Sequence, residues 1–151
     1  HEPLAAPAAL GPRVGHALAQ AGQERGTGNG FINAGASDSP QNLVSGNVAI
    51  TLDNASLTLS DVFVSTYASV VESGLNAVGG DVTLTVRNGA TFSTAGTASI
   101  SSYASGGDGT DGGDGTGGNV RAFLDNATIN VGTLSIDSTG AAGTRTSAVT
   151  P

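Results

Sequence analysis

The chain has 151 residues, enough for one domain, and contains no cysteine, tryptophan, methionine or lysine. Its net charge of −7 lacks the basic face that nucleic acid needs and disfavours anionic membrane surfaces. The absence of thiols excludes disulfides, cysteine zinc clusters and thiol catalysis, and no stretch approaches the ~20 apolar residues of a membrane span.

Residues 1–25 differ from everything that follows. They are rich in Ala and Pro (Pro3, Pro7, Pro12) and contain no β-branched run. Residues 14–24, VGHALAQAGQE, have modest helix propensity and a weak apolar stripe of Val14, Ala17, Leu18 and Ala21. Residues 1–30 are therefore expected to form an N-terminal arm or cap. His1, Leu4, Leu10, Val14 and Leu18 are the residues expected to meet a neighbouring molecule, and a flexible leader is the plain alternative. Residues 26–40 read as a hinge in which 31–35, FINAG, resembles a decayed strand and corner.

The repeat domain is expected to span 31–151, and it is built on one phrase that occurs three times. The copies are GNVAITLDNA at 46–55, GDVTLTVRNG at 80–89 and GNVRAFLDNA at 118–127. Repeats therefore lie near 46–79, 80–117 and 118–150, with starts separated by 80 − 46 = 34 and 118 − 80 = 38 residues. Recurrence at such a period marks a stacked architecture, in which each unit covers its neighbour's open face. Within each copy every second residue is apolar: Val48/Ile50/Leu52, Val82/Leu84/Val86 and Val120/Ala122/Leu124. That period gives a strand with one buried face. Alternation resumes after the phrase, predicting about three short strands per repeat.

Asn54, Asn88 and Asn126 hold the same place in every copy. They are predicted to be structural corners in the left-handed backbone region, which Asn tolerates. Stacked copies would align their amides into a ladder. A local Asn-Gly hairpin at Asn88-Gly89 is the competing reading. The same stacking would align Asp53, Arg87 and Asp125 into a column of alternating charge.

Among candidate sites, residues 106–118 read GGDGTDGGDGTGG and match the first six places of a calcium nonapeptide. Asp108, Asp111 and Asp114 are the candidate calcium ligands. Gly113 stands where the motif needs a large apolar residue, so a flexible glycine-rich loop is the plainer expectation. His16 has no visible carboxylate or serine partner, and no set of catalytic residues is found. The chain is expected not to be an enzyme and to need no cofactor unless calcium binds. Phe63, Tyr67, Tyr103 and Phe123 are either platforms for carbohydrate or seals at strand–loop junctions.

The Gly-Asn-Val lead-ins, Asn-Gly corners and Gly-Asp-rich loop between about residues 31 and 140 resemble the strand repeats of large bacterial surface proteins. These are the autotransporter-passenger and filamentous-haemagglutinin-like group. The resemblance implies a β-helix, an extracellular or cell-surface address, and an adhesive or scaffolding role. The expected fold is all-β, a short β-solenoid of three to four coils, with an antiparallel β-sandwich of pilin or immunoglobulin type as the alternative. The expected function is a filament subunit that polymerises head to tail with its own copies through the N-terminal arm. An adhesin or biofilm-matrix segment that binds surface carbohydrate, with or without calcium, is the alternative.

Overall fold

The computed structural model describes residues 15–20, 23–25, 29–39 and 41–144, in which thirteen strands and no helix occur. They divide into successive coils. The first holds β1 (Gly15–Gln20), β2 (Gln23–Arg25), β3 (Gly30–Ser39) and β4 (Leu43–Val44). The second holds β5 (Val48–Asp53), β6 (Ser56–Leu59), β7 (Val62–Val70) and β8 (Ala77–Val78). The third holds β9 (Val82–Arg87), β10 (Thr91–Ser105) and β11 (Gly115–Thr116), and the last holds β12 (Val120–Asp125) and β13 (Thr128–Ala141).

Each strand pairs with its equivalent one coil away. The first face has the order β1-β5-β9-β12, and the short return strands form a sheet β11-β8-β4. The two remaining faces share the long strands β10 and β13, which turn the corner between them near Ala95-Gly96 and Gly132. Every pairing among the described residues is parallel. The fold is a β-solenoid, and the antiparallel sandwich is overturned. Asn88-Gly89 joins β9 on the first face to β10 on the second, so it is a corner of the coil and not a hairpin.

The alternation read from the repeated phrase sets the register. Val48 lies beside Val82 and Val82 beside Val120, and the columns Ile50/Leu84/Ala122 and Leu52/Val86/Leu124 follow. Those of the first two copies meet Val62, Val64, Phe92, Ala98 and Ile100 from the other faces in one continuous core, against which Val120 packs. A smaller cluster of Ala68, Val70, Ala77 and Ala104 sits beside the return strands. Three alanines there let the third face approach the return closely.

The corners behave as expected. Asn54, Asn88 and Asn126 have φ of 50°, 57° and 46°. Gly80 and Gly118, which open the second and third copies, are required by close approach. A Cβ at Gly80 would overlap the carbonyl of Gly46, and one at Gly118 the carbonyl of Gly80. Larger residues would force the coils apart.

Two expectations are corrected. The helical tendency of 14–24 is overridden, because Gly15–Gln20 and Gln23–Arg25 are strands paired in parallel with β5 and β6. An edge that offers a full row of backbone partners outweighs a propensity difference of only a few tenths of a kcal/mol per residue. The pairing thus begins inside the segment expected to be an arm or cap, and the decayed strand at 31–35 belongs to a ten-residue strand on β7.

The glycine-rich segment 106–118 is the second correction. It is an ordered return, with Gly106, Gly107 and Gly113 buried. The N–H of Gly107 donates to Leu75 O at 3.0 Å, that of Gly113 to Gly107 O at 2.7 Å, and that of Gly106 to Ala141 O at 2.9 Å. Its glycines are there because the segment lies directly against backbone: a Cβ at Gly107 would overlap the carbonyl of Glu72.

The corner conformation generates a measurable cost. Asn88→Val places a β-branched residue at positive φ and should lower stability by about 1–2 kcal/mol or more in urea unfolding. Asn88→Gly, which keeps the conformation open, should cost less.

Candidate functional site

Polar side chains tie successive coils together on the outside. Asn47 Oδ1 accepts from the N–H of Asp81 at 2.7 Å, and Asp81 Oδ1 accepts from the N–H of Asn119 at 2.8 Å. A second ladder runs from Asn42 to Asn76 to Asp114, with N–H···Oδ1 distances of 2.8 and 2.7 Å. Inside, the hydroxyls of Thr66, Ser102 and Ser138 share one register column. Thr66 donates to Gly80 O at 2.7 Å, Ser102 accepts from Gly118 N–H at 2.8 Å, and Ser138 donates to Gly118 O at 2.6 Å. Thr66 and Ser102 are fully buried, and among the described residues no buried side-chain polar atom lacks a partner. Sequence reading missed this hydroxyl column. Its signal was a polar residue at an inward position of three successive repeats.

At the corners the alternating-charge column is present in register. Arg87 bonds to Asp53 on the coil below, at 2.8 Å through Nη2 and 3.0 Å through Nε. The expected amide ladder is not formed. The Nδ2 of Asn88 donates to Asp53 Oδ1 at 2.7 Å instead, because the ionised carboxylate is the stronger acceptor. The hydrogen bond from Asn88, and then that from Arg87 and its charge, hold the Asp53 carboxyl below its ordinary value.

The calcium ligands are not brought together. The carboxylate of Asp108 accepts from the N–H and hydroxyl of Thr144 at 2.6 and 2.7 Å, and these bonds lower its pKa. The backbone N–H groups of Asp111 and Asp114 donate to Ser73 Oγ and Asn76 Oδ1. Among the described residues, no three His, Asp or Glu side chains form a group that would hold a metal ion. The three Asp residues are instead engaged separately, with Thr144, Ser73 and Asn76. The segment serves the stack, which explains why the nonapeptide pattern breaks off at Gly113.

His16 and Leu18 lie on β1 in register with Ala49 and Thr51, while His1, Leu4, Leu10 and Val14 lie outside the described residues. Four of the aromatics form two stacked pairs. Phe31 stacks on Phe63 with centroids 5.1 Å apart, and Tyr67 stacks on Tyr103 at 5.5 Å. Phe123 is exposed on the first face. An apolar cavity of about 40 Å³ between Ile50, Leu57, Leu59, Leu84 and Phe92 is walled almost wholly by aliphatic groups. It offers nothing to orient a ligand and is residual core space.

The end of the stack is the feature most unlike the rest of the molecule. Leu52 and Val86 are 1 % and 0 % exposed, but Leu124 in the same column is 57 % exposed. Leu134 and Ile136 are 44 % and 47 % exposed, whereas Ala98 and Ile100, one coil below, are buried. These residues occupy the core columns, and no further coil among the described residues covers them. Among the described residues β12, at the edge of the first face, has no strand on its outer side. The residue ending the charge column is Asp125, which is exposed.

The molecule therefore belongs to the class of parallel β-solenoids, here with one apolar end. No known protein family matches the chain, and neither a curated protein nor a solved structure does so.

Two expectations follow from the carboxylates. Asp53 and Asp108 bind protons less readily in the folded chain than in the unfolded one, where aspartate titrates near ~3.9. Their stabilisation is full above that value and is lost as pH falls through their lower folded values. Melting curves should thus steepen in their pH dependence below about pH 4. Asp53→Asn should be less stable at neutral pH and flatter across the acid range. Because the three loop aspartates do not converge, millimolar calcium or a chelator should leave the melting temperature unchanged. A rise with calcium would restore the loop as a ligand site.

Proposed function

We propose that the protein is an extracellular structural protein, the subunit of a filament formed by head-to-tail stacking of its own copies. The observation that carries this reading is the bare apolar end at Leu124, Leu134 and Ile136. Each such side chain is about half exposed and gains on the order of 1 kcal/mol when covered. The surface that suits it best is another coil of the same width and register, and β1 at the opposite edge of the first face offers one. Such a contact is heterologous, so it does not close and propagates as a fibre. Strand addition of β1 of one copy to β12 of the next supplies the backbone bonds. The segment before β1, with His1, Leu4, Leu10 and Val14, would reinforce that joint as an arm. The extracellular address rests on the resemblance to bacterial surface repeats and on a solvating, acidic, cysteine-free composition.

The same bare end also favours the alternative, a segment of an adhesin or matrix protein in which a further coil of one longer chain is the neighbour.

Sedimentation and negative-stain microscopy separate the two. The protein should form filaments whose lengths grow with concentration. Replacing both Leu134 and Ile136 by Asp should abolish them while leaving the circular dichroism of the coils intact, since both side chains are already solvent-exposed. A protein that stays monomeric at high concentration would overturn the filament and select the adhesin segment.

A further inference from the structure

The third face of the solenoid carries a second feature, unrelated to the open end. Its outward side chains form two short aromatic stacks set side by side. Phe31 and Phe63 are in register on β3 and β7, and Tyr67 and Tyr103 on β7 and β10. Both stacks are nearly parallel, with interplanar angles of 13° and 5°, and Phe31, Tyr67 and Tyr103 are exposed. Each stack stops for want of one ring. The register position below Tyr67 is Gly35, and the position above Phe63 is Ser99. Neither residue is large enough to cover the aromatic face beside it.

The two gaps are lined by polar, uncharged groups. Asn33 Oδ1 lies 3.2 Å from where a Gly35 Cβ would stand, which places an amide on the floor of the first gap. Ser65 and Ser101 occupy the outward positions between the two stacks. The row continues to Asp137 on β13, in register with Ser101, on a chain of net charge −7. An anionic partner is therefore disfavoured there. A ring with apolar faces and a hydroxyl rim finds both of its complements: aromatic faces to stack on, and amide and hydroxyl groups to bond. The ~4.8 Å separation of neighbouring strands is the distance at which a stacked ring would continue the ladder.

We propose that the third face is a binding site for a neutral oligosaccharide of equatorially substituted pyranoses, with one ring on the free face of Tyr67 over Gly35. Such sugars carry only axial C–H groups on both ring faces, which makes the faces apolar and leaves the hydroxyls at the rim for Asn33 and Ser65. The second gap, between Phe63 and Ser99, lies four residues back along β7 (67 − 63 = 4) and on its other side, so a chain of several sugars running diagonally across the strand engages both. The site lies on a lateral face and needs no stacking of copies.

The chain itself supplies the reporter. It has no tryptophan, and its two tyrosines are Tyr67 and Tyr103, so tyrosine emission reads this face alone. Titration with cellohexaose should change that emission saturably in the millimolar range. Tyr67→Ala, followed through Tyr103, should weaken binding about tenfold. Gly35→Tyr should block the first subsite by extending the ladder, without loss of the coil's circular dichroism. Phe123→Ala, on another face, should bind like the original chain. The proposal is overturned if emission and the ring proton NMR shifts do not respond to millimolar cellohexaose. It is equally overturned if emission follows protein concentration and ignores sugar, because a second copy would then occupy the face.

Discussion

Parallel stacking in register is the constraint on which everything else depends. A strand in this molecule finds its backbone partners in the coil before and the coil after, never in its own. The coils must therefore have nearly the same path, or the columns of side chains fall out of line. The repeated phrase keeps that path constant: alternating aliphatics set the faces, and Asn54, Asn88 and Asn126 turn the chain at equivalent points. Glycine at 80 and 118 lets the backbones of successive coils approach where a side chain would separate them.

The same constraint explains how polar groups are used. Because equivalent positions lie one strand apart, a surface side chain readily bonds to its own copy above or below, or to a neighbour in that column. Asn47–Asp81–Asn119 and Asn42–Asn76–Asp114 are ladders of this kind on the surface. Thr66 and Ser102, which are buried, bond across to the backbone of Gly80 and Gly118, since an unpaired hydroxyl there would be costly. Residues that look like a site along the chain, such as the aspartates of 106–118, are distributed by this geometry instead of gathered.

Stacking also makes an end unavoidable. A closed barrel pairs all its edges, but a solenoid leaves one coil uncovered at each extremity. Here the last coil keeps core-type residues at core-type positions, with no polar substitution or covering helix among the described residues. An aliphatic column that is buried at Leu52 and Val86 and bare at Leu124 is suited to continuation, whether by another molecule or by more chain. The lateral faces meet a different requirement. They are always wet, and they arrange their outward residues in columns whether or not function asks for it. Aromatics on them stack because they recur at the same register in adjacent coils.

Much of this was legible along the chain. The period of 34 to 38 residues, the alternation at Val82, Leu84 and Val86 and the Asn corners together defined a stacked all-β architecture. These signals are local or strictly repeated, so they survive without coordinates. The alignment of Asp53 with Arg87 and Asp125 could be read for the same reason. What required the tertiary structure was whatever depends on distance between coils. Residues 15–20 and 23–25 have no strand-like sequence of their own and become strands on the edge offered by β5 and β6. The glycines of 106–118 resemble a flexible linker until the backbone pressed against Gly106, Gly107 and Gly113 is seen. Asn88 bonds to Asp53 and not to another Asn, because the nearest strong acceptor is decided by the side-chain path and not by the repeat. The exposure of Leu124, Leu134 and Ile136 was invisible for the plainest reason. Their sequence context is that of buried residues, and their exposure depends on which coil lies next to them in the stack.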